Sequence, residues 1–271
     1  MSPIALVAPG PGGWARALEP CGNRPFLAWV LREVARHGVE EVCLPGAPEA
    51  VRALPLPRPL RLRTAGEVPP DAPRWQADRL AAPDGTFEIA TPPGLARARR
   101  ELPALALGRR ALLLDRDGVL NIDRGYVGSR ERWEWMPGAI AALRRATARG
   151  WQVFVVTNQS GIARGLYTEA DLRALMAWAG GELRAAGALL DDWRFCPYHP
   201  EAALPQWRGD HPWRKPRPGM LLDVLACWEL DAHRALMVGD AATDLQAAAA
   251  AGVRGLRFPG GDLAAFLAAE L

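Results

Sequence analysis

Two carboxylates separated by one residue follow a short apolar run near the middle of this 271-residue chain. The run extends from Ala111 to Leu114, and the acids are Asp115 and Asp117, followed by Gly118. Four apolar residues are typical of a buried parallel strand, and such strands end where open α/β folds bind their ligands. Side chains at i and i+2 of an extended chain point the same way, so both acids could act on one cation or phosphate. The alternative is a strand that ends in an ordinary Asp-Gly turn.

Later polar residues favour the first interpretation. They are Thr157 with Asn158, Lys215, and Asp240 with Asp244. Lys215 is the only lysine among the 33 basic residues, which indicates a need for a compact ammonium group, with chance as the alternative. Carboxylates suit Mg²⁺, and a hydroxyl and an ammonium complete the groups needed for phosphoryl transfer through an aspartyl-phosphate.

In that chemistry each group has a separate role. Asp115 attacks phosphorus, and Asp117 protonates the leaving oxygen and then activates the hydrolytic water. Lys215 neutralises phosphoryl oxygens together with Mg²⁺, and Thr157 donates a hydrogen bond to them. We expect Asp115, Asp117 and Asp240 to hold the magnesium ion.

Strands and helices alternate from residue 109 to the end of the chain. Strands are predicted at 111–114, 151–156, 193–196, 235–238 and 255–258, and helices begin at Pro137, Thr168, Pro218 and Ala241. This alternation, with polar residues at the strand ends, predicts an α/β fold with a doubly wound parallel sheet.

Residues 1–108 have a different organisation. A strand at 4–7, a glycine-rich loop at 10–13, an amphipathic helix at 25–37 and a strand from 42 predict a small βαβ unit. The segment from about 45 to 103 is rich in Pro and Arg and is predicted to be loop-rich, with a short strand at 87–89. We therefore expect two domains, 1–108 and 109–271.

Composition excludes several classes of partner. A net charge of +3 makes no case for nucleic acid, and the four cysteines are too scattered for a disulfide framework. No apolar run reaches the roughly 18 residues needed to span a bilayer, and the N-terminus lacks a leader pattern. We expect a cytoplasmic protein without membrane or nucleic-acid partners, with a monomer favoured.

The Asp-x-Asp-Gly, Val-Thr-Asn, lysine and Gly-Asp-x-x-x-Asp motifs together resemble those of the haloacid-dehalogenase-like hydrolases over residues 109–271. Within that superfamily, the segments 115–127, 157–165 and 214–220 resemble the heptose 1,7-bisphosphate phosphatase and histidinol-phosphate phosphatase family. The resemblance implies a Mg²⁺-dependent phosphatase that removes the 7-phosphate of a phosphorylated sugar, D-glycero-D-manno-heptose 1,7-bisphosphate, in nucleotide-activated heptose synthesis. The alternatives are a histidinol-phosphate or broader sugar-phosphate phosphatase, and a catalytically inactive scaffold.

The same resemblance implies a set of substrate contacts. They are Asp123, Arg124, Gly125, Tyr126, Thr157, Asn158, Gln159, Ser160, Arg214 and Lys215. Arg214 could clamp a second phosphate or a sugar hydroxyl with its planar fork, and the alternative is an ordinary surface arginine.

Two departures from family patterns limit what the resemblance implies. The family's structural zinc loop, Cys-x-His and Cys-x-Cys, is replaced here by Cys196, Tyr198, His211 and Trp213. We expect no zinc, with Tyr198, Trp207 and Trp213 packing the loop, although Cys196, His199 and His211 could form a three-ligand site.

In the first domain, residues 23–27 and 36–42 resemble sugar-nucleotide nucleotidyltransferases. Their glycine loop and expected lysine are altered or missing, so we expect a truncated, structural remnant.

Overall fold

The computed structural model describes residues 4–11, 13–21, 24–36, 39, 41–54, 61–63, 70, 72, 74–77, 79–80 and 87–271. The chain divides into two compact units, residues 1–108 and 109–271. Within the described residues, no helix has both the length and the apolar character needed to cross a bilayer.

The described residues of 1–108 form a four-stranded parallel sheet and two short antiparallel pairs. The elements are β1 (Ile4–Ala8), α1 (Gly13–Ala17), β2 (Pro20–Cys21), β3 (Arg24–Pro25), α2 (Phe26–Arg36), β4 (Glu41–Cys43), β5 (Arg61–Arg63), β6 (Arg74–Gln76), β7 (Arg79–Leu80), β8 (Phe87–Glu88) and α3 (Pro92–Gly108). The parallel pairing of β1 with β4 around α2 confirms the predicted βαβ unit. Gly12, His37 and Gly38, at the predicted loop and helix end, lie outside the described residues.

The loop-rich prediction for residues 45–103 is wrong at its end, where the 17-residue α3 begins. Pro92 and Pro93 lie in the first turn of α3, where a missing N–H costs no intrahelical hydrogen bond. The hydroxyl of Thr91 accepts a hydrogen bond from the N–H of Gly94 at 3.3 Å. The prolines therefore begin this helix, although the richness of the segment in proline predicted a loop.

Residues 109–271, all of which are described, form a five-stranded parallel sheet with helices between the strands. The elements are β9 (Ala111–Leu114), α4 (Ala139–Ala148), β10 (Gln152–Asn158), α5 (Ser160–Ala163), α6 (Glu169–Ala185), β11 (Asp192–Cys196), α7 (Gly219–Trp228), β12 (Ala235–Gly239), α8 (Ala242–Ala250), β13 (Arg254–Arg257) and α9 (Leu263–Phe266). The strand order is β11-β10-β9-β12-β13, which confirms the predicted doubly wound sheet.

The central strand β9 is buried on both faces. Leu112 and Leu114 pack into the apolar cluster that contains α4 and α6, whereas Ala111 and Leu113 pack into the cluster on the side of α7 and α8. This is why the strand reads as an uninterrupted apolar run. The chain adds β10 and β11 on one side of β9 and then β12 and β13 on the other, so the carboxyl end of β9 lies at the switch point where such sheets bind ligands.

Candidate active site

The carboxyl ends of β9 and β12 bring three acids together. The N–H of Asp115 donates to the carbonyl of Val238 at 2.9 Å, which holds the residue against β12. Carboxylate oxygens of Asp115, Asp240 and Asp244 lie within 4.8 Å of one another. They line a cavity of about 470 Å³, and all of its lining residues belong to 109–271.

Lys215 lies inside this acidic cluster and is 3% exposed. Its ammonium nitrogen lies 2.9 Å from Asp115 Oδ1 and 2.5 Å from Asp244 Oδ1, and it donates to the carbonyl of Val156 at 2.9 Å. Three converging oxygens suit a compact ammonium group, which gives a physical reason for the single lysine.

Asn158 fixes the segment that carries Lys215. Its amide nitrogen donates to the carbonyl of Lys215 at 3.1 Å, and its carbonyl oxygen accepts from the N–H of Lys215, also at 3.1 Å. The end of β10 therefore positions the lysine, although the two residues are 57 apart in sequence.

The acids carry more negative charge than the lysine compensates. Burial, together with the carboxylates of Asp244 and Asp117, raises the pKa of Asp115 to about 6 despite the opposing charge of Lys215. Burial and Asp244 likewise raise the pKa of Asp240. Burial lowers the pKa of Lys215, but its two carboxylate partners outweigh burial and the net shift is upward. Clustered oxygen ligands with excess negative charge fit a hard divalent cation such as Mg²⁺.

Gly118 permits the close approach of Asp240. A Cβ added at Gly118 would lie 2.2 Å from Asp240 Oδ2, and the backbone there has a φ of +84°. A larger residue would therefore displace an acid that we expect to bind the metal.

The carboxylate of Asp117 also lines the cavity and accepts hydrogen bonds from three side chains. Arg116 donates to its two oxygens at 3.1 and 2.8 Å, Asn121 donates at 3.0 Å and Gln159 donates at 2.8 Å. The described acids that cluster as a metal group are Asp115, Asp240 and Asp244, so the expected role of Asp117 as a magnesium ligand stays a prediction.

Arg116 and Asn121 lie in the motif that resembles the phosphatase family, but no role was predicted for either residue. Arg116 is fully buried and also donates to the carbonyl of Val127 at 2.6 Å. The sequence signal for Arg116 was its position between Asp115 and Asp117, whose negative charges can compensate a buried guanidinium.

Eight of the ten predicted substrate residues line the cavity. They are Asp123, Gly125, Tyr126, Thr157, Asn158, Gln159, Ser160 and Lys215. The other two, Arg124 and Arg214, are not among the lining residues: Arg124 pairs with Glu134 at 2.5 Å, and Arg214 donates to the carbonyl of Tyr198 at 2.9 Å.

The loop that carries Tyr126 is held by its own hydrogen bonds. Asp123 accepts from the N–H of Gly125 at 2.7 Å, and Arg132 donates to the carbonyls of Arg124 and Gly125 at 2.8 Å. Tyr126 has a φ of +53°, a backbone conformation that residues other than glycine seldom adopt. The residue is 45% exposed. The loop therefore presents an exposed aromatic ring at the mouth of the cavity.

Aromatic rings pack the loop where the family's zinc ligands are altered, as predicted. The rings of Tyr198 and His211 are stacked 4.3 Å apart, Trp207 packs edge-on against Tyr198, and Trp213 packs edge-on against His211. Within the part of the chain that the structure describes, Cys196 and the two histidines of the alternative site do not form a metal-type cluster. The expected lack of zinc stays a prediction.

Comparison with known proteins gives consistent matches. The HAD-hydrolase-like family model matches residues 212–263. A D-glycero-beta-D-manno-heptose-1,7-bisphosphate 7-phosphatase of Rhodopseudomonas palustris is 49% identical over 166 residues, which cover 61% of this chain and 92% of the relative. A D-glycero-alpha-D-manno-heptose-1,7-bisphosphate 7-phosphatase of Burkholderia mallei is 43% identical over 144 residues, or 53% of this chain and 76% of the relative.

A solved structure shows the same similarity. The D,D-heptose 1,7-bisphosphate phosphatase from B. bronchiseptica, complexed with magnesium and phosphate, is 36% identical with a TM-score of 0.51. The match covers 59% of this chain and 86% of the other. The matched share is close to the size of the unit formed by residues 109–271.

Proposed function

This chain belongs to the D-glycero-D-manno-heptose-1,7-bisphosphate 7-phosphatase family of haloacid-dehalogenase-like hydrolases, and on that premise we propose that it removes the 7-phosphate of a heptose 1,7-bisphosphate. The observation that carries the proposal is the convergence of Asp115, Asp117, Thr157, Lys215 and Asp240 on one cavity. The product would be a heptose 1-phosphate, which is the class of compound that nucleotidyl transfer activates.

The protein groups account for both halves of the reaction. Asp115 attacks phosphorus to form an aspartyl-phosphate, the bond from phosphorus to the C7 oxygen breaks, and Asp117 protonates that oxygen. Asp117 then takes a proton from water, which attacks the phosphoryl group and restores Asp115. Lys215 and Thr157 stabilise the phosphoryl oxygens. Asp115 and Asp240 would hold Mg²⁺, which would supply further charge neutralisation at these oxygens.

Two arginine side chains near the cavity, those of Arg164 and Arg214, favour a substrate with a second phosphate. The guanidinium of Arg164 lies 5.7 Å from the centre of the Tyr126 ring, and that ring lines the cavity. Burial and the charge of Arg164 both lower the pKa of Arg214, so the two guanidinium groups are near enough to repel. A second phosphate would relieve that repulsion, whereas the cationic end of histidinol phosphate would add to it.

Release of inorganic phosphate from a panel of substrates tests the proposal. The panel contains the alpha and beta anomers of D-glycero-D-manno-heptose 1,7-bisphosphate and histidinol phosphate, each with Mg²⁺ and with Asp115→Asn as the control. We expect kcat/KM for one or both heptose anomers to exceed that for histidinol phosphate by at least about 100-fold. A wild-type protein no faster than Asp115→Asn on every substrate would overturn the enzyme assignment.

A further inference from the structure

We propose that Tyr167, acting through Gln159, positions Asp117 and Thr157 for the hydrolysis. The inference deepens the proposed function and rests on it. It begins with the side chain of Gln159, which is 1% exposed and lies between the two catalytic groups.

Both N–H groups of the Gln159 amide are used within the protein. One donates to Asp117 Oδ2 at 2.8 Å and the other to Thr157 Oγ1 at 2.8 Å. The hydroxyl of Tyr167 donates to the amide oxygen at 2.5 Å. A reversed amide would place its oxygen against the carboxylate of Asp117, so the donor from Tyr167 favours the productive orientation.

This arrangement has a consequence for each catalytic group. Thr157 accepts from Gln159, so its own hydroxyl proton stays available for a phosphoryl oxygen in the cavity. Asp117 is held at Oδ2 by the same amide, which fixes the carboxylate relative to Thr157. With its N–H groups occupied, the Gln159 side chain acts as a positioning group, although it was expected to contact substrate.

Two glycines make room for the Tyr167 ring. A Cβ added at Gly128 would lie 2.4 Å from the ring, and one at Gly161 would lie 2.3 Å from it. Burial raises the pKa of Tyr167 to about 12, so its hydroxyl stays protonated and able to donate at neutral pH. The ring is therefore clamped between two backbone segments, with its donor aimed at Gln159.

Tyr167→Phe removes this donor and leaves the ring in place. We expect kcat to fall roughly tenfold, as for one lost hydrogen bond. Tyr167 lines the cavity, but its hydroxyl donates to Gln159, so KM should stay within about twofold. Tyr198→Phe is the matched control, since it removes a hydroxyl from the aromatic loop outside the network, and its kcat should equal that of the wild type.

A double-mutant cycle with Gln159→Leu separates positioning from a general structural role. If Tyr167 acts through Gln159, Tyr167→Phe should cost less than about twofold in kcat once the amide is gone. An unchanged kcat in the single Tyr167→Phe variant, or a full additive loss in the double variant, would overturn the inference.

Measuring every variant with heptose bisphosphate and with p-nitrophenyl phosphate keeps this inference distinct from the proposed function. Both substrates share the hydrolysis of the aspartyl-phosphate, but p-nitrophenolate leaves without a proton from Asp117. Tyr167→Phe should therefore lower kcat for heptose bisphosphate at least as much as kcat for p-nitrophenyl phosphate. A wild type active on p-nitrophenyl phosphate but not on the heptose would refute the proposed substrate, while the cycle would still decide the role of Tyr167.

Discussion

At the scale of single residues, the site depends on one ammonium group among several carboxylates. Lys215 contacts Asp115, Asp244 and the carbonyl of Val156, and it is almost fully buried. Because these contacts take the place of hydration for a buried charge, the lysine has both a structural and a chemical role.

Replacing Lys215 with Met should therefore affect stability and catalysis together. Loss of the charge leaves Asp115 and Asp244 uncompensated, so we expect the free energy of unfolding to fall by about 3 kcal/mol. We expect kcat to fall at least about 100-fold, because transition-state charge is no longer neutralised. Urea unfolding and steady-state kinetics measure the two effects.

Lys215→Arg is the control that keeps the charge but has a planar guanidinium group, and it should recover less than about a tenth of wild-type kcat. Near-normal activity in either variant would contradict this role.

The raised pKa of Asp115 predicts how the stability of the metal-free protein depends on pH. The pKa is about 6 in the folded protein against an ordinary value of 3.8, so the folded state binds more protons between these values. The free energy of unfolding should therefore fall as pH rises from about 4 to about 6, and Asp115→Asn should weaken this fall. Thermal unfolding in EDTA between these pH values tests the expectation. Parallel pH profiles for wild type and Asp115→Asn would contradict it.

The sequence predicted the proposed catalytic residues better than it predicted the residues that hold them in place. Asp115, Asp117, Thr157 and Asp240 were expected because polar residues lie at strand ends, and Lys215 because it is the only lysine; all five line the cavity. No role was predicted for Arg116 or Tyr167, because the contact of Arg116 with Val127 and those of Tyr167 with Gln159 and two glycines are not revealed by spacing.

At the scale of elements, strand ends and their glycines set the spacing of the acids. Gly118 follows β9 and lies against Asp240, which follows β12, so the two strand ends meet at this glycine. Adding one methyl group there tests whether close contact of the strand ends forms the metal site.

Gly118→Ala and Gly150→Ala form a matched pair for this test. Both positions have positive φ, +84° and +74°, but a Cβ at Gly150 meets nothing within 4 Å. In both variants the free energy of unfolding should fall by about 1 kcal/mol, because alanine disfavours a positive φ. Only Gly118→Ala should also weaken Mg²⁺ binding, by at least about tenfold, because it displaces Asp240. Calorimetric titration of Mg²⁺ measures this difference, and equal affinities in the two variants would refute the contact.

The sequence also predicted the five-stranded sheet of residues 109–271 more reliably than α3, the last helix of residues 1–108. Buried parallel strands appear as apolar runs, as in β9, β10 and β12, and all five strands lie within two residues of their predicted positions. The helix α3 was missed because Pro92 and Pro93 suggest a loop unless they are recognised as a helix start.

At the scale of the whole molecule, the chemistry belongs to one of the two units. All residues that line the cavity lie in 109–271, and the five-stranded sheet is complete within that unit. The resemblance of 1–108 to a truncated nucleotidyltransferase stays a prediction, because composition and a short helix motif carry little information about what a unit does.

A fragment of residues 109–271 should therefore fold and retain activity. We expect its kcat for heptose bisphosphate to lie within about threefold of that of the full chain, because it keeps the sheet and every lining residue. The same fragment with Asp115→Asn is the control for background hydrolysis. A folded but inactive fragment would show that residues 1–108 contribute to catalysis.

The identity of the released phosphate tests the central claim most directly. Phosphorus NMR of D-glycero-D-manno-heptose 1,7-bisphosphate, incubated with the full chain and Mg²⁺, distinguishes the C7 phosphate from the anomeric phosphate. We predict that the C7 signal disappears as inorganic phosphate forms, while the anomeric signal stays. Loss of the anomeric phosphate with the C7 phosphate retained, or spectra matching those of Asp115→Asn, would contradict the account.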